Sequence, residues 1–270
     1  MHDVCLAYAH FDTVAATTLE ALGDLRAHDA YNSKLIGPKA TYLASSTGLV
    51  GAVNSISKVF VDDTDADWIF WVDCDMGFEP DTLDRLYAAA DPELAPCVSA
   101  LSFKCQQTEP DNLGGYLTEA LPVIMDWGMG KDGSQGFMCR LNYPENTLMQ
   151  CQATGMACTL IHRSVYEAIR EKFGDEWHSL MPTPPECSAP VFTPDVSFWC
   201  RASMCDPRFA PFVHTGIWTT HQKTTWVSHP SYVAQVGEVW RNDRPPADVD
   251  VVKTAVQNRA ERRRLAKAKA

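Results

Sequence analysis

Residues 68–72 read WIFWV, five large apolar residues in a row, and the run stops at Asp73. A strand covered on one face alternates apolar and polar residues, whereas a continuous run implies cover on both faces. That points to a sheet layered between helices. The run leads into Asp73-Cys74-Asp75, then MGFEP. Strand side chains alternate, so Asp73 and Asp75 are expected to point one way and Cys74 to pack the other way. In an open parallel sheet the carboxyl ends of the strands form the ligand crevice. Two carboxylates aimed there repel, and each is costly without a partner. A divalent cation resolves the conflict, and hard oxygen ligands suit Mg2+ or Mn2+. The other reading is a turn whose aspartates cap the next helix, a role that Asp81 and Asp84 already fill.

The flanking pattern supports a layered α/β fold. VCLAYA at 4–9 reads as a buried strand, and Asp12 as a cap for a helix over 13–27 with Val14, Thr18, Leu22 and Leu25 on one face. TYLA at 41–44 is a second strand, and Leu49, Val53, Ile56 and Phe60 recur at helical spacing. After the aspartate pair, Pro80 and Asp81 open a helix with Leu83, Leu86 and Tyr87 inward, and CVSALSF at 97–103 is a further strand. The order β-α-β-α-β-α-β predicts a single-domain, open, mostly parallel sheet with helices on both faces. Residues 104–147 give no clear period. Residues 148–169 read as strand, a break at Gly155, strand, then a helix from Ser164. The proline-rich 174–194 segment reads as loop, with a helix from Asp195.

Composition narrows the class. Hydrophobic residues make up 46% of the chain and charged residues 21%, a globular balance. No stretch approaches the ~18 apolar residues of a membrane span, and the N-terminus lacks the features of a secretory signal. The ten cysteines form no CxxC pair, which suits reduced thiols and a cytoplasmic setting. The net charge is −11, yet the tail RAERRRLAKAKA carries six basic residues. An acidic body does not suggest a groove that tracks phosphates, whereas the tail leaves nucleic acid open as a partner.

A metal site on a strand-end aspartate pair fits three chemistries. A phosphatase of the haloacid dehalogenase type places its aspartates early, whereas here they follow three α/β units. A sugar-nucleotide pyrophosphorylase carries a glycine-rich loop after its first strand, and AHFDTVA is not one. The third is glycosyl transfer. WIFWVDCDMGFEPDTLDRL resembles the DxD segment of family-2-like GT-A glycosyltransferases, especially small bacteriophage-encoded ones. QATGMACTLIHRSVYEAI, TPDVSFWCRA and VHTGIWTTHQK resemble three further segments of that family in the same order, so the likeness spans 1–226.

The resemblance implies a nucleotide-binding half over 1–103, an acceptor half over 104–226 and an extension over 227–270. It also implies roles. Asp73 and Asp75 would hold the cation on a UDP- or GDP-linked sugar donor, with Asp73 also near the ribose. His221 would complete the metal site, with His214 as rival. Lys223 would reach a phosphate. Ala9, His10 and Asp12 would lie at the nucleobase and ribose. Asp195 would be the general base of an inverting transfer, although it also reads as a helix N-cap. The family's paired acidic motif has Pro194 at its first position here. Relatives often carry Arg-Asn where this chain has Val53-Asn54, leaving Lys58 as a substitute phosphate contact. The 104–147 and 174–194 segments would flank the acceptor, a virion protein or a modified DNA base; Trp177, Trp199, Trp218 and Trp226 lie in or near them and could stack on it, although such residues are more often core and Trp199 is read as core. A non-catalytic sugar-nucleotide-binding module remains the different-class alternative.

Overall fold

The computed structural model describes residues 3–10, 13–37, 41–44, 48–108, 117–130, 133–187 and 189–223. Asp12, Trp226 and the basic tail lie outside them. The elements run β1 (Val4–His10), α1 (Ala16–Tyr31), β2 (Thr41–Ala44), α2 (Leu49–Asp63), β3 (Trp68–Asp73), β4 (Met76–Phe78), α3 (Thr82–Ala89), β5 (Cys97–Leu101), β6 (Phe103–Thr108) and β7 (Leu117–Pro122). They continue with β8 (Ile124–Met129), β9 (Gln135–Cys139), β10 (Leu148–Gln150), β11 (Ala153–Thr154), β12 (Cys158–His162), α4 (Arg163–Phe173), β13 (Met181–Pro182), β14 (Val191–Phe192), α5 (Pro194–Cys205) and β15 (Phe212–His221).

The chain divides into two compact units. One comprises Met1–Gln106 with Ala120–Thr224; in the other, Gln107–Glu119 with Thr225–Ala270, only 107–108 and 117–119 are described. The first holds the main sheet, ordered β10-β15-β5-β12-β3-β1-β2, with β4 paired to β15. β1 runs parallel to β2 and β3, and β15 runs parallel to β5. β12 runs antiparallel between β3 and β5. The open α/β sheet is as the sequence predicts. The reversed strand at its centre is not, because nothing local to 158–162 says which neighbours it joins.

The WIFWV run divides as a doubly covered strand should. Ile69 and Trp71 pack with Ile56 and Phe60 of α2, Tyr166 and Ile169 of α4, and Phe198 and Trp199 of α5. Trp68, Phe70 and Val72 pack with Leu22 and Leu25 of α1 and Leu83 and Leu86 of α3. Fully burying one such side chain contributes about 1.5–3 kcal/mol, so this one strand is a large share of what joins the two layers. Arg163 fastens α4 to the end of α2. Its guanidinium lies 4.6 Å from the Phe60 ring centre and donates to the carbonyls of Phe60, Val61, Thr64 and Ala66, taking up groups that a helix end leaves unpaired.

Three local expectations are corrected. α1 opens at Ala16, with Ala15 at the N-cap position and Asp12 outside the described residues, and runs past residue 27 to Tyr31. Lys58 faces outward and bonds Asp62 and Asp175, both at 2.8 Å, so its charge is spent on the surface. Trp177 is a fully buried core residue rather than part of an acceptor wall, whereas Trp199 is core as expected; they donate their indole N–H groups to Tyr166 O and Thr154 O.

Candidate active site

β3 ends at Asp73, and the chain turns through Cys74 and Asp75 before β4 begins at Met76. The strict alternation expected beyond Asp73 therefore does not hold. Cys74 is only half-buried and lines the same cavity as the two aspartates. β15 fixes this turn from the far end of the chain. His221 pairs with Met76, and Gln222 donates its backbone N–H to Asp75 O at 2.8 Å.

That register places His221 against Asp75. The imidazole Nδ1 lies 2.9 Å from Phe103 O. A carbonyl only accepts, so Nδ1 carries the hydrogen and Nε2 of the neutral ring presents a lone pair. Nε2 sits 3.1 Å from Asp75 Oδ1, is buried, and has no partner in hydrogen-bond geometry. A lone pair facing a carboxylate oxygen needs a positive species on one of them. A proton supplies it when the ring is charged, and Asp75 accordingly raises the His221 pKa against the effect of burial. A divalent cation fits equally well, held by one hard oxygen and one imidazole nitrogen whose other N–H is anchored on a backbone carbonyl. Lys223 Nζ takes the other oxygen, Oδ2, at 2.5 Å.

The three carboxylates differ in charge state. Burial pushes Asp75 up, but the contacts with His221 and Lys223 outweigh it and hold the group down at about 2. Asp73 opens on the cavity, yet protein encloses its other sides; that burial, then the charge of Asp75, lifts it to about 6. Asp195 is raised to about 7 by burial and by Asp73, with a hydrogen bond from the Met156 backbone opposing. Asp195 is not the N-cap of α5. Thr193 holds that position, Pro194 follows, and Asp195 stands in the first turn, where the helix dipole favours a carboxylate.

Two cavities share Asp73, Asp195 and His221 in their walls. The smaller, about 290 Å³, also takes in Ala9 and His10 at the end of β1, Val53, Trp71, Asp75 and Lys223. The larger, about 450 Å³, runs from Lys104 and Phe137 to Thr193 and draws on both segments expected to flank an acceptor. His214 lines neither cavity. Nor does Trp218, which is 67% exposed and borders a separate groove with Glu20 and Arg85. Among the described residues, no three His, Cys, Asp or Glu side chains are spaced to hold a metal ion as they stand. Asp75 and His221 could offer a cation two ligands, and Mg2+ or Mn2+ ordinarily fills its remaining positions with water and substrate oxygens.

Sequence reasoning reached Asn54 only through the Val53-Asn54 comparison and did not reach His178. Asn54 donates to His178 O at 2.8 Å and accepts from His178 N at 2.9 Å, tying α2 to the segment before α5. The His178 ring stacks on Phe198 at 4.9 Å, and burial lowers its pKa to about 3, so it stays neutral in the wall of the smaller cavity. The partners are 124 residues apart, so no local signal connects them.

No protein-family model and no curated protein matches the chain. Solved structures do. GalNAc-T7 with UDP, GalNAc and Mn2+ aligns over 87% of this chain and 48% of its own, with a TM-score of 0.50 and 10% identity. The fold is GT-A. A197 from STIV aligns over 82% and 86% (TM-score 0.44, 15% identity), and S. aureus TarS 1–349 in complex with UDP-GlcNAc over 91% and 69% (0.42, 12%). The chain spans about half the length of the GalNAc-T7 chain. In this GT-A sheet both cavities open where β3 and β15 end, and the smaller also reaches the end of β1. Among the described residues, no helix is long and apolar enough to cross a membrane.

Proposed function

We propose that this protein is a metal-dependent glycosyltransferase that moves a sugar from a nucleotide diphosphate donor to an acceptor hydroxyl. The observation that carries the reading is the approach of His221 Nε2 to Asp75 Oδ1 with Nδ1 already committed to Phe103 O. Asp75 and His221 are the groups that would hold Mn2+ or Mg2+, with Asp73 beside them. When bound, the cation supplies positive charge to the departing diphosphate. GalNAc-T7, whose fold this chain shares, was solved with UDP, GalNAc and Mn2+, which supports a uridine donor ahead of a guanosine one.

The chain's own residues divide the remaining work. Ala9 and His10, with Asp12 beyond them, would receive the nucleobase and ribose in the smaller cavity, within the half running to 103. Lys223 would turn from Asp75 to a donor phosphate. Asp195 borders both cavities and would take the proton from the acceptor hydroxyl as the sugar transfers with inversion. Its pKa near 7 suits a base working near neutrality.

The test is a thermal-shift screen of UDP- and GDP-sugars with and without Mn2+, followed by donor turnover. A bound donor raises the melting temperature by mass action. Cation-dependent stabilisation and slow donor hydrolysis are expected, both lost in Asp75→Ala. Donor binding without any turnover would instead mark a non-catalytic binding module.

A further inference from the structure

We infer that the larger cavity takes an extended polypeptide, so that the acceptor is a serine or threonine hydroxyl; this rests on the glycosyl-transfer reading above. Four consecutive residues, Gln135 to Met138, line that cavity. Strand side chains alternate between faces. A space touched by all four therefore runs along the edge of β9 rather than over one of its faces. β9 is the end strand of its sheet, which is ordered β11-β8-β9.

The backbone along that edge can receive another strand. Gln135 sends its N–H outward to Glu186 O, while Arg140 sends its own inward to Ile124 O. Backbone groups alternate in direction along an antiparallel strand, so the same parity turns the N–H and C=O of Phe137 outward. Among the described residues one bridge, Gln135 to Cys187, joins the outer side of β9. Gly136 leaves the sheet face beside that edge bare: a Cβ built there meets nothing within 4 Å. A glycine inside a strand marks a place where a second backbone can come close, and a peptide that adds to a strand edge gains main-chain hydrogen bonds there.

The walls select against a polyanion. Among the described residues, Lys104 is the one lysine or arginine that lines the cavity, and Asp73 and Asp195 lie in the same wall. A nucleic-acid strand carries a charge on every phosphate and is held by several such cations. The wall instead offers Val123, Phe137 and Phe192. Phe137 and Phe192 pack edge to face with each other and with the half-exposed Trp127, at centroid distances of 5.6, 5.4 and 6.1 Å. Such a surface receives apolar peptide side chains.

The test uses the full chain with Mn2+, a panel of UDP- and GDP-hexoses, and two acceptor sets. One set is blocked nonapeptides with a central serine or threonine between valine, phenylalanine and glycine. The other is single- and double-stranded oligonucleotides bearing hydroxymethyl pyrimidines. Peptides are expected to accept sugar and oligonucleotides to stay unmodified. N-methylating the peptide amides that flank the acceptor residue should lower kcat/KM about tenfold, the loss of one or two backbone hydrogen bonds. Gly136→Val should lower it similarly while leaving donor hydrolysis by water unchanged; if that variant fails to fold, the N-methyl series on the unaltered protein decides. Sugar on an oligonucleotide, or equal rates for methylated and plain peptides, overturns the inference. A donor hydrolysed but never passed to any peptide overturns it alone, whereas no donor bound or hydrolysed overturns the glycosyl-transfer reading along with it.

Discussion

Lys223 Nζ lies 2.5 Å from Asp75 Oδ2, across 148 positions of chain, and His221 faces the other oxygen of the same carboxylate. One carboxylate is thus shared between an ammonium and an imidazole. A cation entering beside His221 meets an Asp75 already partly neutralised by Lys223. Lys223→Gln should therefore bind Mn2+ alone more tightly, by about three- to fivefold, the ~0.5–1 kcal/mol of a partly exposed pair. The same change should weaken UDP-sugar binding. Titration calorimetry measures both, and a variant that weakens Mn2+ binding contradicts the shared-carboxylate picture.

Metal binding should depend on pH with a definite sign. The Asp73 carboxyl is raised to about 6, so below that pH it holds a proton. The raised pKa of His221 adds a second proton on the acid side. Ligands bind metals in their deprotonated form. Mn2+ affinity should climb from pH 5 upward, by about tenfold per unit for each proton displaced, and flatten only above the raised pKa of His221. Calorimetry in two buffers of different ionisation enthalpy counts the protons released; a flat profile would remove Asp73 and His221 from the site.

Asp195→Asn keeps the size of the side chain and removes its basicity. Transfer should fall by about 10²–10⁴-fold, the usual contribution of a positioned base, with donor and Mn2+ affinities unchanged. The unaltered protein should show kcat rising with pH through about 7, where Asp195 loses its proton, then levelling. Unaffected transfer in the asparagine variant would assign the base elsewhere.

Asn54→Ala removes both hydrogen bonds to the His178 backbone and leaves a buried donor and acceptor there unpaired. The expected loss of stability is about 1–3 kcal/mol by chemical denaturation. Asn54→Asp should recover part of it, because one carboxylate oxygen still accepts from His178 N.

Much of the first hundred residues was legible because its signals are local. VCLAYA, TYLA, WIFWV and CVSAL are apolar runs of strand length, and Ile56 and Phe60 repeat at helical spacing; each became the expected element. The strand β9 was not legible, since all its residues are about equally half-buried, and β8 was not, since Ile124-Met125-Asp126-Trp127 carries no alternation of apolar and polar residues. The aspartate pair stood out in the sequence as a candidate, yet its geometry did not. Strand alternation says nothing about a turn that starts at Cys74, nor about a histidine delivered by register with Met76. Asp195 was found through the order of four segments, while its place in the first turn of α5 and its coupling to Asp73 came only from the fold.

The reversed strand at the middle of the sheet also sets an order of assembly. β3 and β5 are synthesised early, and β3 can pair with β1 at once, but the facing edges of β3 and β5 stay open until β12 arrives between them. A nascent chain ending before Cys158 therefore carries two apolar strands with open edges, the state most prone to pair with a wrong partner. Closing the sheet brings together strands far apart in sequence, which favours slow folding. A ribosome that pauses after His162 has emerged would leave open the β5 edge that awaits β15; one that pauses at Gly155 would hold out both edges of β5 and one edge of β3 to chaperones.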